Sequence, residues 1–378
     1  MLGWLAIPLA CALAGGLVYC VLAIEAVRRY LNIEPPPLET PLPISVLKPL
    51  SGLDEGLEEN LRSFFEQDYP RFEILFAVRT PDDPAVPVAE KLRAEYPRVP
   101  SRLIVTGEPP YPNAKVFSLD RMLSAAQNEI LVMSDSDIRV TPGMLRTVAA
   151  EFQNPNLGVA TCPYRAVPGR SLWSRLEALG MNTEFLAGIL VARMLEGMKF
   201  AVGPTIVARR AALEKIGGFD RLKDYLAEDF VMGKFAAEAG FDVILSSYVI
   251  EHRIGAQDFR HNAAHRLRWC RSTRRSRPAG YFGQVFTNPL PLALILFLLL
   301  PWWQILALSA AFRAAAAWVV AGWVLHDQLT ARACWLVPVE DCLSFLFWLA
   351  GFFGNTIVWR GRRYYLYPDG RFELVAAK

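Results

Sequence analysis

Charge is what this chain of 378 residues has least of: charged side chains make up 20% and hydrophobic ones 53%, with a mean hydropathy of +0.23. A globular chain carries about 25% charged and about 45–50% apolar residues, so this is not a simply soluble protein. Nor does either sign prevail: 40 Lys and Arg against 37 Asp and Glu leave +3, which argues against a general nucleic-acid binder. The six cysteines include no Cys-x-x-Cys pair. That supports neither a disulfide framework nor a zinc site and suits a reducing compartment. No Gly-x-Gly-x-x-Gly or Walker-type loop follows a candidate strand, so dinucleotide and P-loop chemistry lack support. No repeat of 20–50 residues is visible. A membrane-attached enzyme, or a small membrane protein with a large soluble insert, remains.

The apolar excess lies at the two ends. Leu2 to Ile24 is free of charge over 23 positions, enough to span a hydrocarbon core of about 30 Å. Arg28 and Arg29 follow it, which places the next segment on the cytoplasmic side. Residues 1–30 are therefore expected to be an anchor and 31–43 a Pro-rich linker, followed by a soluble domain over 44–286. Membrane or interfacial helices are expected over 287–363, with a tail at 364–378. Their apolar stretches run Pro289–Phe312, Ala314–Leu325 and Leu343–Trp359, with Arg313 at a junction flanked by Trp302, Trp303 and Trp318. That pattern fits interfacial anchoring. Arg360, Arg362 and Arg363 prefer the inside, whereas the parity of three further spans puts the tail outside, and its side stays open.

Strands are expected at Ile44–Leu47, Phe72–Val78, Arg102–Val105 and Glu129–Asp137, alternating with helices at Leu57–Phe65, Ala85–Tyr96 and Asn113–Ala126. This alternation argues for a parallel α/β sheet, in which ligands bind beyond the carboxyl ends of the strands.

Acids stand at those ends. Asp82-Asp83-Pro84 follows the second strand, and Asp135-Ser136-Asp137 follows the apolar run Ile130–Met133. Two carboxylates at such a turn can ligate a hard divalent cation that also holds phosphate oxygens. Glu228-Asp229 opens a helical run, where a carboxylate at a site edge can take a proton from a hydroxyl. Taken singly, Asp-rich turns and helix N-terminal acids account for each motif. Arg260–Arg277 holds seven Arg and no acid. A basic cluster beside a membrane explains most of these, but not Trp269. Ser171–Gly197 has apolar residues near helical spacing, read as a core-facing amphipathic helix or an interfacial one.

The order Asp82-Asp83-Pro, Asp135-Ser-Asp137, Ala227-Glu228-Asp229 and His265-x-x-Arg268-Trp269 resembles the D, DxD, D, (Q/R)xxRW set of inverting, membrane-bound glycosyltransferases of the ceramide glucosyltransferase family. Val46-Leu-Lys-Pro-Leu-Ser-Gly, Asp68-Tyr-Pro, Pro112-Asn-Ala-Lys115 and Cys162-Pro-Tyr add to the likeness, which extends from Leu2 to about Arg363. It implies a GT-A-like, nucleotide-sugar-binding α/β fold with a mainly parallel sheet, an N-terminal transmembrane anchor and C-terminal transmembrane or interfacial helices. By the same resemblance, Asp83 contacts the uridine of a UDP-sugar, and Asp135 and Asp137 hold Mg2+ or Mn2+ and the diphosphate. Asp229 is the catalytic base, Arg268 and Trp269 wall the leaving group and acceptor, and Lys115 lies near the nucleotide. His265 departs from the usual Gln or Arg, and its expected role is a hydrogen bond to phosphate.

The function so implied is transfer of a hexose, glucose first, from UDP-sugar to a hydroxyl of a bilayer lipid, ceramide first. The alternatives are another lipid, such as a hopanoid polyol with UDP-N-acetylglucosamine, and a processive polysaccharide synthase. A transporter should carry ionisable residues inside several spans; only Glu340 and Asp341 come close. The expected setting is a multi-pass protein with a cytoplasmic catalytic domain, in a bacterial inner membrane, or in Golgi or ER if eukaryotic.

Overall fold

The computed structural model describes residues 3–359 and 361–375. Leu2, Arg360 and the last three residues of the expected tail lie outside that range. The strands along the chain are β1 (Ile44–Pro49), β2 (Phe72–Val78), β3 (Ser101–Val105), β4 (Ile130–Ser134), β5 (Ile138–Arg139), β6 (Leu157–Thr161), β7 (Tyr164–Pro168), β8 (Thr205–Arg209), β9 (Asp242–Leu245), β10 (Ile250–Ile254), β11 (Thr356–Trp359), β12 (Arg362–Leu366) and β13 (Phe372–Leu374). The principal helices are α1 (Gly3–Leu31), α2 (Leu57–Phe65), α3 (Ala85–Glu95), α4 (Ala114–Ala125), α5 (Met144–Glu151), α6 (Leu172–Gly180), α7 (Leu186–Glu196), α8 (Arg210–Lys215), α9 (Glu228–Glu238), α10 (Phe259–Ser276), α11 (Pro278–Gly283), α12 (Pro289–Leu299), α13 (Trp303–Trp318), α14 (Gln328–Ala333) and α15 (Val337–Gly351).

A seven-stranded sheet runs in the order β3-β2-β1-β4-β8-β6-β9. Its first four strands are parallel, β8 is antiparallel to both neighbours, and β6 and β9 are parallel. Both faces are covered, because alternate residues of one strand enter different cores. In β2, Ile74, Phe76 and Val78 face one core while Leu75 and Ala77 face the other. That is why these strands read as unbroken apolar runs. A small sheet, β5-β10-β7, stands at the carboxyl edge of β4.

Among the described residues, four helical stretches are long and apolar enough to cross a membrane: Ala6–Leu31, Leu172–Glu196, Trp303–Val324 and Gln328–Gly351. A fifth candidate is bent by 55° between Pro278–Phe286 and Pro289–Leu299. Over an apolar run of 18 residues, 67% of positions are buried in Leu172–Glu196 against 22% in Ala6–Leu31, so the apolar face of the former is mostly spent inside the protein.

The carboxyl-terminal end differs from the sequence expectation in three ways. The break in the helices falls at Pro301 rather than at Arg313, because proline cannot continue the preceding helix. Arg313 sits inside α13, 3% exposed, rather than at an interface. Thr356–Trp359 is a strand, and the expected tail helps build a three-stranded antiparallel sheet, β11-β12-β13. This sheet docks on the α/β domain through Phe372 N–H to Asp224 O (2.9 Å) and the bridge between Tyr225 and Arg371. Several arginines of α10 serve that docking: Arg271 donates to Phe353 O and Thr356 O, and Arg274 to Gly354 O.

Candidate active site

The apolar run of β4 ends at Ser134, and the chain then leaves the large sheet for the small one. Asp135-Ser136-Asp137 is that crossing: Asp135 N–H donates to Pro204 O (2.9 Å), and Ile138 begins β5. The two acids consequently face different partners. Lys115, in the first turn of α4, sets its Nζ 2.7 Å from Asp135 Oδ1 and 3.5 Å from Glu228 Oε1. Asp137 Oδ2 lies 3.0 Å from His252 Nε2.

Lys48, at the end of β1, completes the cluster from below. It is fully buried over the Phe64 ring (4.0 Å) and donates to the Asp135 carbonyl. Burial pulls its pKa down to about 7, against the attraction of Asp135, Asp137 and Asp54. Burial works the same way on Lys115, but Asp135 and Glu228 outweigh it and hold that ammonium above its usual range. Glu228 is raised by burial and by Asp229, with Lys115 opposing. Burial would raise Asp137 as well, yet His252 beside it prevails and the carboxyl stays below the ordinary range.

Asp229 lies in the first turn of α9. Its Oδ2 accepts from Gly203 N–H (2.6 Å) and its Oδ1 from Phe230 N–H (2.8 Å). Each oxygen keeps a lone pair for a further bond. Gly233 makes this possible. A Cβ there would fall 2.2 Å from the Ala201 nitrogen, so only glycine lets α9 press against the segment that carries Gly203.

Asp83 is fixed beyond β2, its Oδ1 accepting from Gly52 N–H (3.0 Å) and Ala85 N–H (2.9 Å). Gly52 follows β1, so Asp83 shares the carboxyl edge with Lys48 and Asp135.

The last motif arrives through a chain of rings. His265 and Trp269, one turn apart on α10, have ring centroids 4.9 Å apart. Trp269 meets Phe185 (5.6 Å), Phe185 meets Tyr164 (5.5 Å), and Tyr164 meets the His252 ring edge-on (5.4 Å). Arg268 turns toward the carboxyl-terminal sheet, its guanidinium 5.9 Å from the Trp359 ring. His265 Nδ1 is bonded to Glu177 Oε1 (2.5 Å).

The structure thus pairs Lys115 with Asp135, sets that lysine in the field of Asp229, and connects His265 and Trp269 to the Asp137–His252 pair by aromatic contact, while Arg268 is turned to Trp359. Sequence reasoning missed His252, Tyr164 and Glu177. Cys162-Pro-Tyr was a signal for Tyr164, and Glu177 was visible only as a polar position on an apolar helix. His252 gave no signal, because its pairing with Asp137 depends on β10 lying antiparallel to β5, with His252 opposite Ile138.

Among the described residues, no group of three or more His, Cys, Asp or Glu is arranged to hold a cation alone. One atom fits a shared site: Asp137 Oδ1 is buried without a partner. A hard cation takes carboxylate and phosphate oxygens together, so a diphosphate would have to supply the remaining ligands.

The sequence model of glycosyl transferase family 21 matches residues 8–372. The chain belongs to this family. Among curated relatives, ceramide glucosyltransferase 1 of Caenorhabditis elegans is 29% identical over 224 residues, 58% of this chain and 47% of that one. The ceramide glucosyltransferase of Komagataella phaffii is 35% identical over 150 residues, 38% of this chain and 29% of that one. The chain therefore matches about half or less of the length of these relatives. A mannosyltransferase from Pyrobaculum calidifontis, solved with GDP-Man and Mn2+, superposes with a TM-score of 0.55 at 20% identity, covering 92% of this chain and 99% of that one. That likeness establishes the GT-A-like fold of this family-21 member.

Proposed function

We propose that the protein is an inverting glycosyltransferase that moves a hexose, glucose first, from a UDP-sugar to a hydroxyl of a membrane lipid, ceramide first, at the cytoplasmic face. The observation that carries this reading is the meeting of Asp229 with the Asp135–Lys115 and Asp137–His252 pairs at the sheet edge, against a wall of Trp269 and Phe185 that continues into apolar helices.

Asp229, oriented by two backbone amides, takes the proton of the acceptor hydroxyl as its oxygen attacks the anomeric carbon. The bond from that carbon to the UDP oxygen breaks, and the configuration inverts without a covalent enzyme intermediate. Lys115 offsets charge on the departing diphosphate and Asp83 contacts the uridine, while Arg268 has to turn from the Trp359 ring to join them. Asp137 and Asp135 would hold Mg2+ or Mn2+, whose contribution when bound is to neutralise diphosphate charge.

The test is incubation of purified protein with UDP-glucose and UDP-N-acetylglucosamine against a lipid panel of ceramide, a hopanoid polyol and diacylglycerol, read by mass spectrometry. One hexose added to ceramide, lost in Asp229→Asn and on EDTA treatment, is the expected result. Undiminished transfer by Asp229→Asn would overturn the base assignment, and transfer to none of the lipids would overturn the function.

A further inference from the structure

His265 stands where the resembling family has Gln or Arg, and its surroundings give it a definite hydrogen-bonding character. Glu177 Oε2 accepts from Asn262 Nδ2 (2.9 Å), and its Oε1 faces His265 Nδ1. An ionised carboxylate only accepts, so Nδ1 carries the proton. Burial, opposed by Glu177 but assisted by Arg268 and His252, holds the imidazole pKa below its ordinary range. The ring is therefore neutral near pH 7, and a neutral imidazole with its proton on Nδ1 offers a lone pair at Nε2. Among the described residues no group bonds Nε2, and the side chain keeps 20% of its surface exposed. An acceptor nitrogen is poorly suited to a phosphate oxygen. It suits an N–H or O–H.

That nitrogen stands beside the Trp269–Phe185 wall that the proposed function assigns to the acceptor. The His265 ring packs on Trp269, Trp269 on Phe185, and Phe185 belongs to the apolar stretch Leu172–Glu196. On the other side, Phe185 touches Tyr164. A Cβ on Gly203, the residue whose amide holds Asp229, would lie 3.8 Å from the Tyr164 ring.

We infer that the Glu177–His265 pair is a second recognition point for the lipid, with His265 Nε2 accepting a hydrogen bond from an N–H or O–H that the acceptor carries beside its reacting hydroxyl. His265 is a binding residue here, and Glu177 a positioning residue that sets its tautomer. The inference rests on the proposed transfer to a lipid hydroxyl, and it narrows the acceptor class to lipid amides and polyols over lipids bearing a lone hydroxyl.

The experiment compares matched acceptors in the full chain: ceramide against N-methylceramide, and a long-chain 1,2-diol against the corresponding 1-alcohol. The wild type is expected to favour the member with the extra donor on the order of 10-fold in kcat/KM, the loss of one hydrogen bond. His265→Phe keeps the ring against Trp269 and should bring the ratio near one, with the KM for UDP-sugar unchanged. Glu177→Gln is the sharper variant. Its amide oxygen stays toward Asn262 and its NH2 donates to Nδ1, so the proton moves to Nε2 and the preference is lost while the ring stays in place. A wild-type ratio near one overturns the inference without any variant, as does a ratio that both variants leave unchanged. Failure of the wild type to glycosylate any lipid would be a different result: it would remove the function on which the inference stands.

Discussion

Two clusters of buried charge sit in this molecule on opposite terms. At the sheet edge, Asp137 Oδ1 and His252 Nδ1 are buried with no partner. Among the apolar helices the carboxylates are spent. Asp341, fully buried on α15, takes three contacts from Arg313 (2.8, 2.9 and 3.1 Å), and Arg313 also donates to Thr183 (3.0 Å). Glu340 takes two from Arg266 (2.7 and 3.0 Å) and one from Ser344 (2.9 Å). A charge in low dielectric must be compensated. Where the compensation is complete, the group holds structure. On Asp137 the capacity left over is available to a ligand.

The largest effect expected from this contrast is at the sheet edge. Asp229→Asn should lower turnover by about 10²–10⁴-fold, the usual worth of a general base, while the melting point in detergent hardly moves. A loss of folded protein in step with activity would erase the distinction between the clusters. Next, Asp341→Leu should destabilise by about 3–5 kcal/mol, because it strands the Arg313 charge. Adding Arg313→Met should recover most of that loss, since replacing both members of a buried pair is often neutral. A single variant as stable as the wild type would show that the pair does not hold the helices.

Gly233→Ala tests the link between packing and chemistry. Its Cβ would meet backbone at 2.2–2.4 Å, an overpacking cost of about 1–3 kcal/mol. Because the displaced segment carries Gly203, turnover should fall further than melting predicts.

The smallest effect concerns Glu151, a buried acid only half spent, its Oε2 without a partner. Its Oε1 accepts from Ser246 and Ser247, yet burial leaves its pKa raised. A carboxyl raised in the folded state lends stability that is full below its unfolded-state pKa and is lost as pH rises through the folded value. Glu151→Gln should therefore gain on the wild type as pH climbs from about 4 to 8, by no more than about 1 kcal/mol. A pH-independent difference in melting would refute this.

How much of this was legible beforehand depends on distance along the chain. β1, β2 and β4 were readable because each is buried on both faces, and the edge strand β3 because its short apolar run is bounded by turn residues. The acids were readable because they stand where those runs stop. β8 was not, since an antiparallel insertion has the same apolar signature as a parallel one. His252, 115 residues from Asp137, owes its position to a two-residue strand that no periodicity reveals. The charges of α13 and α15 were misplaced for a related reason. Arg313 looks like a helix end in a hydropathy count, and only Asp341 opposite explains how a helix can carry it inside.

The five residues Met181–Phe185 form one wide π turn between α6 and α7. Within it Asn182 clasps the Ala166 backbone (2.8 and 3.0 Å), Thr183 receives Arg313, Glu184 accepts from Thr287 and Asn288 (both 2.8 Å), and Phe185 reaches Tyr164 and Trp269. Such a turn accommodates one residue more than an α-helix of equal rise. Loss of a single codon here would restore ordinary winding and leave α7 in its present register, so the damage would fall on the contacts of the turn itself. Loss of a codon within α7 would instead rotate everything after it by about 100°, the angle of one residue at 3.6 per turn. In reading-frame terms, the wide turn is the place in this helical stretch where a three-base deletion should displace the neighbouring helix least.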